Sequence, residues 1–373
     1  MIRVSQALTD QQEWEVLRPA LERSYYGHAE RVVEFEHAIA EYLRVSAGQV
    51  ICVANGTAAL HLALHGIGIS PKDEVIVPTL TFVSSFAAIA ATGAKPIACD
   101  VSYRDLCLDL EDVKGRLTKN TRAIMPVHYA GNPCDMDEVL NLAKQKKLRI
   151  IEDAAHAFGS LYKGRKVGSF GDITCFSFDS IKNITCGEGG AIICRNPELA
   201  DRYRKLRLLG INRDDPLVTG YARTKAYDVP FLGFRYHMSN LNAVIGLVQI
   251  SKIDRFVKRR QEICRKYDIG FSDLKELETL PIDYSHVAPF MYVIKVLDGH
   301  RDTLITYLMD RDIETAINYI PNHLHSYYRN EGSRLKTAER LYTEILSIPL
   351  HCALSDEEVQ YVIHSIRDFF KNS

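Results

Sequence analysis

Between residues 49 and 195 the chain repeats one pattern seven times: a short, nearly continuous apolar run, then a stretch with helical spacing. The runs are QVICVA, DEVIVP, AKPIACD, TRAIMPVH, LRIIEDA, ITCFSF and GAIICR. Strands that are apolar on both faces and separated by helices belong to a mostly parallel sheet covered on both sides. The expected fold is therefore α/β, and ligands of open α/β sheets collect beyond the C-terminal strand ends. At 373 residues, 46% of them hydrophobic, the chain can bury such a core and still carry an appendage. After residue 240 the pattern changes to a long helical stretch, NLNAVIGLVQISKIDRFVKRRQEICRKY, and then to the β-like MYVIKVL. This predicts a large domain over residues 1–245 and a smaller C-terminal α+β domain over 246–373.

Charge and cysteine usage narrow the function classes. With 46 basic and 47 acidic residues the chain has no one-signed field to draw nucleic acid or an acidic membrane surface. A small-molecule role fits that balance. The nine cysteines are scattered and never form CxxC pairs, which points to free thiols in a reducing, cytoplasmic setting rather than a disulfide framework or zinc site. The N-terminal MIRVSQALTDQQEWE is acidic early and lacks an apolar segment, so no secretory signal is expected. Residues 75–94 carry no charge over a length that imitates a membrane span, but Pro78 and several Ser/Thr residues favour a strand, a loop and a small-residue helix. The basic run KRRQEICRK at 258–266 reads by default as a solvated helix face. The polar stretch 210–230 reads as a long, functional loop.

Chemistry-bearing residues fall where the strands end. In VANGTAALHLAL a strand runs to Ala54, Asn55, Gly56 and Thr57 form a turn, and a helix begins at Ala58. Backbone N–H groups at a helix start, with the Thr57 hydroxyl, suit a phosphate, although the same residues make an ordinary cap. His61 and His65 share metal-ligand spacing but lack the accompanying glutamate of HExxH, and are read as structural, with no metal site. In LRIIEDAAHAFGS a strand delivers Glu152 and Asp153 to its end; Asp153 either caps a helix or holds a proton on a heterocycle nitrogen, as pyridoxal phosphate requires. In FSFDSIKNITCGEGG a single lysine, Lys182, sits among mostly uncharged residues. It is either a snorkelling side chain or an amine held poorly solvated for Schiff-base chemistry.

These strings, with VHYAG, NYIPNHLHSYY and AERLYTEILSIPLH, occur in an order that resembles the DegT/DnrJ/EryC1/StrS family of PLP-dependent sugar aminotransferases over nearly the whole chain. The resemblance implies a fold type I transferase, a homodimer with shared active sites, and pyridoxal 5'-phosphate as cofactor. It implies an amino-acid donor, with glutamate expected, and a nucleotide-linked keto-deoxysugar acceptor. Lys182 is similar to the family lysine that binds the cofactor covalently, and Asp153 to the carboxylate on the pyridine nitrogen. Gly56, Thr57 and Ala58 match the phosphate turn, and Ser177 the serine that also reaches the cofactor. Phe82 falls at the position of the stacking aromatic, His156 at that of the Gln or His over the ring oxygen, and Tyr319 and His323 at places suited to substrate. The family commonly has an asparagine in a Gly-Tyr/Phe-Asn-Tyr-Arg-Met stretch, which reaches the partner subunit's cofactor phosphate. This chain reads GFRYHMSN, so Arg235 stands in that place and is expected to serve as the contact. The alternatives are a sugar dehydratase on the same scaffold, whose known branch carries histidine in place of the lysine, and a non-catalytic regulatory homologue.

Overall fold

A computed structural model describes residues 1–23, 25–212, 227–329 and 334–371. The stretch 210–230, read as a functional loop, therefore lies largely outside the described residues. The strands are β1 (Val50–Val53), β2 (Glu74–Pro78), β3 (Lys95–Cys99), β4 (Thr121–Ile124), β5 (Arg149–Asp153), β6 (Leu161–Tyr162), β7 (Arg165–Lys166), β8 (Ile173–Ser177), β9 (Gly190–Cys194), β10 (Leu277–Thr279), β11 (Tyr292–Val296) and β12 (Ile345–Ile348). The helices are α1 (Gln11–Glu22), α2 (Glu30–Leu43), α3 (Gly56–Gly66), α4 (Ser84–Ala91), α5 (Leu110–Arg116), α6 (Met136–Lys146), α7 (Pro197–Leu206), α8 (Asn240–Ser251), α9 (Ile253–Phe271), α10 (Arg301–Met309), α11 (Lys336–Glu344) and α12 (Asp356–Lys371).

The seven apolar runs become the seven strands of one sheet, in the order β1-β9-β8-β5-β4-β2-β3. Only β9 runs against its two neighbours, β1 and β8; the other pairings are parallel. Successive side chains go to opposite faces of a strand, and the two cores follow that alternation. Val50 and Cys52 join Ile76, Ile124 and Phe176 beneath α2, α6 and α8. Ile51 and Val53 join Val75, Val77 and Ile151 beneath α3, α4 and α7. The uncharged stretch 75–94 is β2, a loop and α4, and among the described residues no helix is long and apolar enough to cross a membrane. All nine cysteines are free thiols.

A second, antiparallel sheet, β10-β11-β12, packs with α9, α10 and α12 around Tyr267, Tyr292, Ile294 and Leu346. Residue 245 lies within α8. The long helical stretch after 240 is two helices, not one. They divide at Lys252, whose buried ammonium bonds both carboxylate oxygens of Glu13 at 2.8 Å and Asp10 at 2.8 Å. The basic run at 258–266 is also more than a solvated face. Arg260 is buried and donates to the carbonyls of Phe290 at 3.0 Å and Leu350 at 3.2 Å, while Arg259 and Lys266 both pair with Asp356.

Candidate active site

The turn after β1 is where backbone first becomes available to a ligand. Asn55 caps α3 by accepting the Ala58 N–H at 2.8 Å, and the first helical bond runs from Ala59 N–H to Asn55 O. The helix thus starts two residues earlier than the sequence pattern suggested, and the N–H groups of Gly56 and Thr57 precede its bonded ladder. They sit at the positive end of the helix dipole. Close packing explains two glycines here. A Cβ on Gly56 would lie 2.8 Å from Ser177 Cβ, and one on Gly190 would lie 2.5 Å from the Asn55 carbonyl carbon and oxygen. The start of α3 is in this way pressed against the end of β8 and the start of β9. Thr57 Oγ1 meets Ser84 Oγ at 2.8 Å.

Asp153 ends β5 with its carboxylate buried. Ser85 Oγ donates to Oδ2 at 2.7 Å and Ala155 N–H to Oδ1 at 3.2 Å. Burial still pushes the carboxyl above its ordinary pKa, because desolvation outweighs those two donors and the Lys182 charge. Behind it, Glu152 is fully buried between His128 Nε2 at 3.1 Å and the Thr174 hydroxyl at 2.9 Å.

Lys182 follows β8 in a turn closed by its own N–H on Asp179 O at 3.1 Å. Its Nζ stands 4.2 Å from the centroid of Phe290. Burial lowers its pKa from the ordinary 10.5 to about 8, against the opposing pull of Asp153 and Asp179. The amine is thus neutral far more often than a solvated lysine. His156 stacks on the same Phe290 at 4.3 Å and meets the Tyr319 hydroxyl through Nε2 at 3.0 Å. Its Nδ1 is buried without a partner, and burial, then the Lys182 charge, holds the imidazole well below its ordinary pKa.

Gly56, Thr57, Phe82, Asp153, His156, Ser177, Lys182 and Tyr319 line one cavity of about 430 Å³. Phe82 is 53% exposed there, with its ring 5.7 Å from that of Tyr319. Three residues singled out in the sequence are not among its lining. Ala58 is buried within the cap. His323 is buried with Nδ1 on Thr79 Oγ1 at 2.8 Å and Nε2 facing Glu339. Arg235 is exposed, on a strand-like bridge to Leu208. His61 and His65 pack on Phe234 at 4.8 and 5.2 Å. A larger hollow of about 520 Å³ between α1, α2 and α8 offers neither a lysine nor a strand-end carboxylate. The sequence reading missed Ser85 and Phe290. Ser85 could have been found from its place three residues after Phe82 at a helix start; Phe290 left no local signal.

The sequence model of the DegT/DnrJ/EryC1/StrS aminotransferase family matches residues 8–367. The chain is 37% identical to the GDP-perosamine synthase of Escherichia coli O157:H7, over 91% of this chain and 90% of that one. Among solved structures it is similar to the aminotransferase TlmJ from Streptoalloteichus hindustanus, with a TM-score of 0.93, 35% identity, and coverage of 100% and 99% of the two chains. It is also similar to the PLP form of the putative sugar aminotransferase Spr1654 from Streptococcus pneumoniae, with a TM-score of 0.91, 28% identity and 98% coverage of each chain.

Proposed function

Because the chain belongs to the DegT/DnrJ/EryC1/StrS aminotransferase family, we propose that it is a pyridoxal-phosphate-dependent enzyme that moves an amino group from glutamate to a nucleotide-linked keto-deoxysugar. The observation that carries this reading is the convergence of Lys182, Asp153 and the start of α3 on one cavity. The lining fits the cofactor. Free N–H groups of Gly56 and Thr57, with the hydroxyls of Thr57 and Ser177, suit its phosphate. The buried Asp153 carboxylate suits a protonated ring nitrogen, since a fixed cation removes the cost that otherwise raises its pKa. The orphaned Nδ1 of His156 lacks only a partner such as the ring oxygen, and Phe82 offers an exposed face for stacking.

Pyridoxal phosphate, when bound, supplies an aldehyde that joins amines and a ring that draws electron density from the adjoining carbon. Lys182, with its pKa near 8, is the amine that would hold the cofactor covalently. The same Nζ, when free, would be the base placed to carry a proton from the donor α-carbon to the cofactor carbon beside the ring. The buried Asp153 carboxylate would hold the proton on the ring nitrogen. Tyr319 at the cavity wall borders the space in which the sugar must sit.

Several finer points belong to the same reading. The enzyme acts as a homodimer in the cytoplasm, in amino-sugar synthesis for a surface polysaccharide or glycosylated product. The free thiols support a reducing compartment. The exposed Arg235, on a segment with the exposed Leu232, supports a role as a phosphate contact in the partner's site. The chain divides into a cofactor domain over 1–245 and a small domain over 246–373. Lysine rather than histidine at 182 disfavours a dehydratase, and a regulatory protein has no use for a depressed lysine beside a buried aspartate. Purified protein given pyridoxal phosphate should develop a visible absorption band that glutamate bleaches and Lys182→Ala lacks. A wild-type protein with no such band would sink the proposal.

A further inference from the structure

The hydroxyl that holds Asp153 is itself held by another. Ser85 Oγ stands 2.7 Å from Asp153 Oδ2 and 3.0 Å from Thr81 Oγ1, and all three side chains are buried. A serine hydroxyl has one proton and two lone pairs, whereas a carboxylate has lone pairs alone. If Ser85 turned its proton to Thr81, oxygen lone pairs would face each other at 2.7 Å beside a buried charge. The proton therefore goes to Asp153. The Phe82 carbonyl, 3.3 Å from Ser85 Oγ, is farther away and uncharged, and is the weaker acceptor. With its proton committed, Ser85 meets Thr81 as an acceptor, and the Thr81 hydroxyl is the donor.

We infer that Thr81 and Ser85 are positioning residues that form a relay of two hydroxyls, both protons directed toward Asp153, which keeps that buried carboxylate an anion. Ser85 lies in the first turn of α4 and Thr81 in the loop between β2 and α4. That loop is anchored from the far end of the chain. Asn322, fully buried, donates Nδ2 to the carbonyls of Thr79 at 3.0 Å and Thr81 at 2.7 Å, and its N–H to Thr79 O at 2.9 Å. Hydrogen bonds in series polarise one another, so Thr81 strengthens the bond that Ser85 makes. Burial gives the relay its use. Desolvation pushes the Asp153 carboxyl above its ordinary pKa, and the Ser85 hydroxyl is the foremost influence against it. A carboxyl that kept its proton could not stand opposite a protonated ring nitrogen. The inference rests on the cofactor reading for that nitrogen alone; the direction of the two protons stands without it.

Titration of the Asp153 carboxyl by ¹³C NMR in the unloaded protein tests the relay by its sign. Ser85→Ala should raise the proton affinity of the carboxyl about tenfold or more, the size of a hydrogen bond to a charged group. Thr81→Val, which keeps the shape and removes the hydroxyl, should raise it about twofold to threefold, and should change nothing in a Ser85→Ala background. Thr81→Ser should restore the wild-type titration. The titratable groups that face this carboxyl from neighbouring elements, Lys182, His128, Tyr319 and Cys175, and the adjoining Glu152 are the same in every variant. A fall in proton affinity in Thr81→Val would show that Ser85 had been directing its proton to Thr81. No change, or an equal rise with and without Ser85, would mean that Thr81 merely packs. Each of these results overturns the inference. Should Thr81→Val not fold, Thr81→Ala read against Thr81→Ser decides the same sign. In the loaded enzyme, pyridoxal phosphate labelled with ¹⁵N in its ring should show the ring nitrogen losing proton character in Ser85→Ala and, in part, in Thr81→Val; a resonance that neither variant moves overturns the role given to the relay. Failure of the wild type to take up pyridoxal phosphate at all would instead remove the proposed function, with the carboxyl titration still deciding the direction of the protons.

Discussion

Replacing Lys182 by methionine should stabilise the unloaded protein. Burial lowers this lysine from 10.5 to about 8, and each tenfold change in proton affinity is worth about 1.4 kcal/mol. Carrying the ammonium at pH 7 therefore costs the fold up to about 3 kcal/mol, trimmed to about 2 kcal/mol by the side chain's partial exposure. Below about pH 8 both folded and unfolded chains hold the proton and the cost is paid in full. Between about pH 8 and 10.5 the unfolded chain holds a proton that the folded one lacks, so wild-type stability rises with pH. The advantage of Lys182→Met is accordingly greatest near pH 7 and fades towards pH 10.5. Urea unfolding of both cofactor-free proteins at several pH values reads this directly. A methionine variant less stable than wild type at pH 7, or one whose advantage does not fall with pH, would refute the reasoning that burial is what depresses the lysine.

Asp153→Asn should lower the rate of glutamate-driven bleaching by about a hundredfold or more, the size of losing a preorganised charge partner, with little change in the thermal midpoint of the unloaded protein; stopped-flow absorbance checks it. Gly190→Ala places a Cβ against the Asn55 backbone, which cannot yield as a side chain would. It should cost about 1–3 kcal/mol and weaken cofactor binding by shifting the start of α3, as read by urea unfolding and a titration with pyridoxal phosphate. Lys252→Met leaves Glu13 buried without its cation, and should destabilise by about 3–5 kcal/mol, whereas Lys252→Met combined with Glu13→Gln should recover part of the loss.

The large sheet was legible because its strands are buried on both faces, which leaves seven apolar runs that local periodicity can find. The residues around the cofactor cavity were legible where they sit at strand ends or in the turns that follow: Asp153 after IIE, Lys182 after FSF, Gly56 after VAN. What the sequence hid depends on pairs far apart along the chain. Lys252, at the division of α8 from α9, meets Glu13 across the fold, and nothing in the helical pattern announces that pairing. Arg260 looks like part of a solvated run until the segment leading into β11 and the one leaving β12 bring carbonyls to it. His323, read as a substrate neighbour, is bound to Thr79 across the fold, and Tyr319 meets His156 only because its segment is anchored on the loop after β2.

The central claim is that this cavity transfers nitrogen to a nucleotide-linked sugar. The direct measurement supplies ¹⁵N-glutamate and a panel of nucleotide keto-deoxysugars to the loaded enzyme and follows the sugar product by mass spectrometry. The account predicts an amino sugar carrying the ¹⁵N label for at least one member of the panel, and none with Lys182→Ala. Label appearing only in amino acids made from free keto-acids, with every nucleotide sugar untouched, would contradict it.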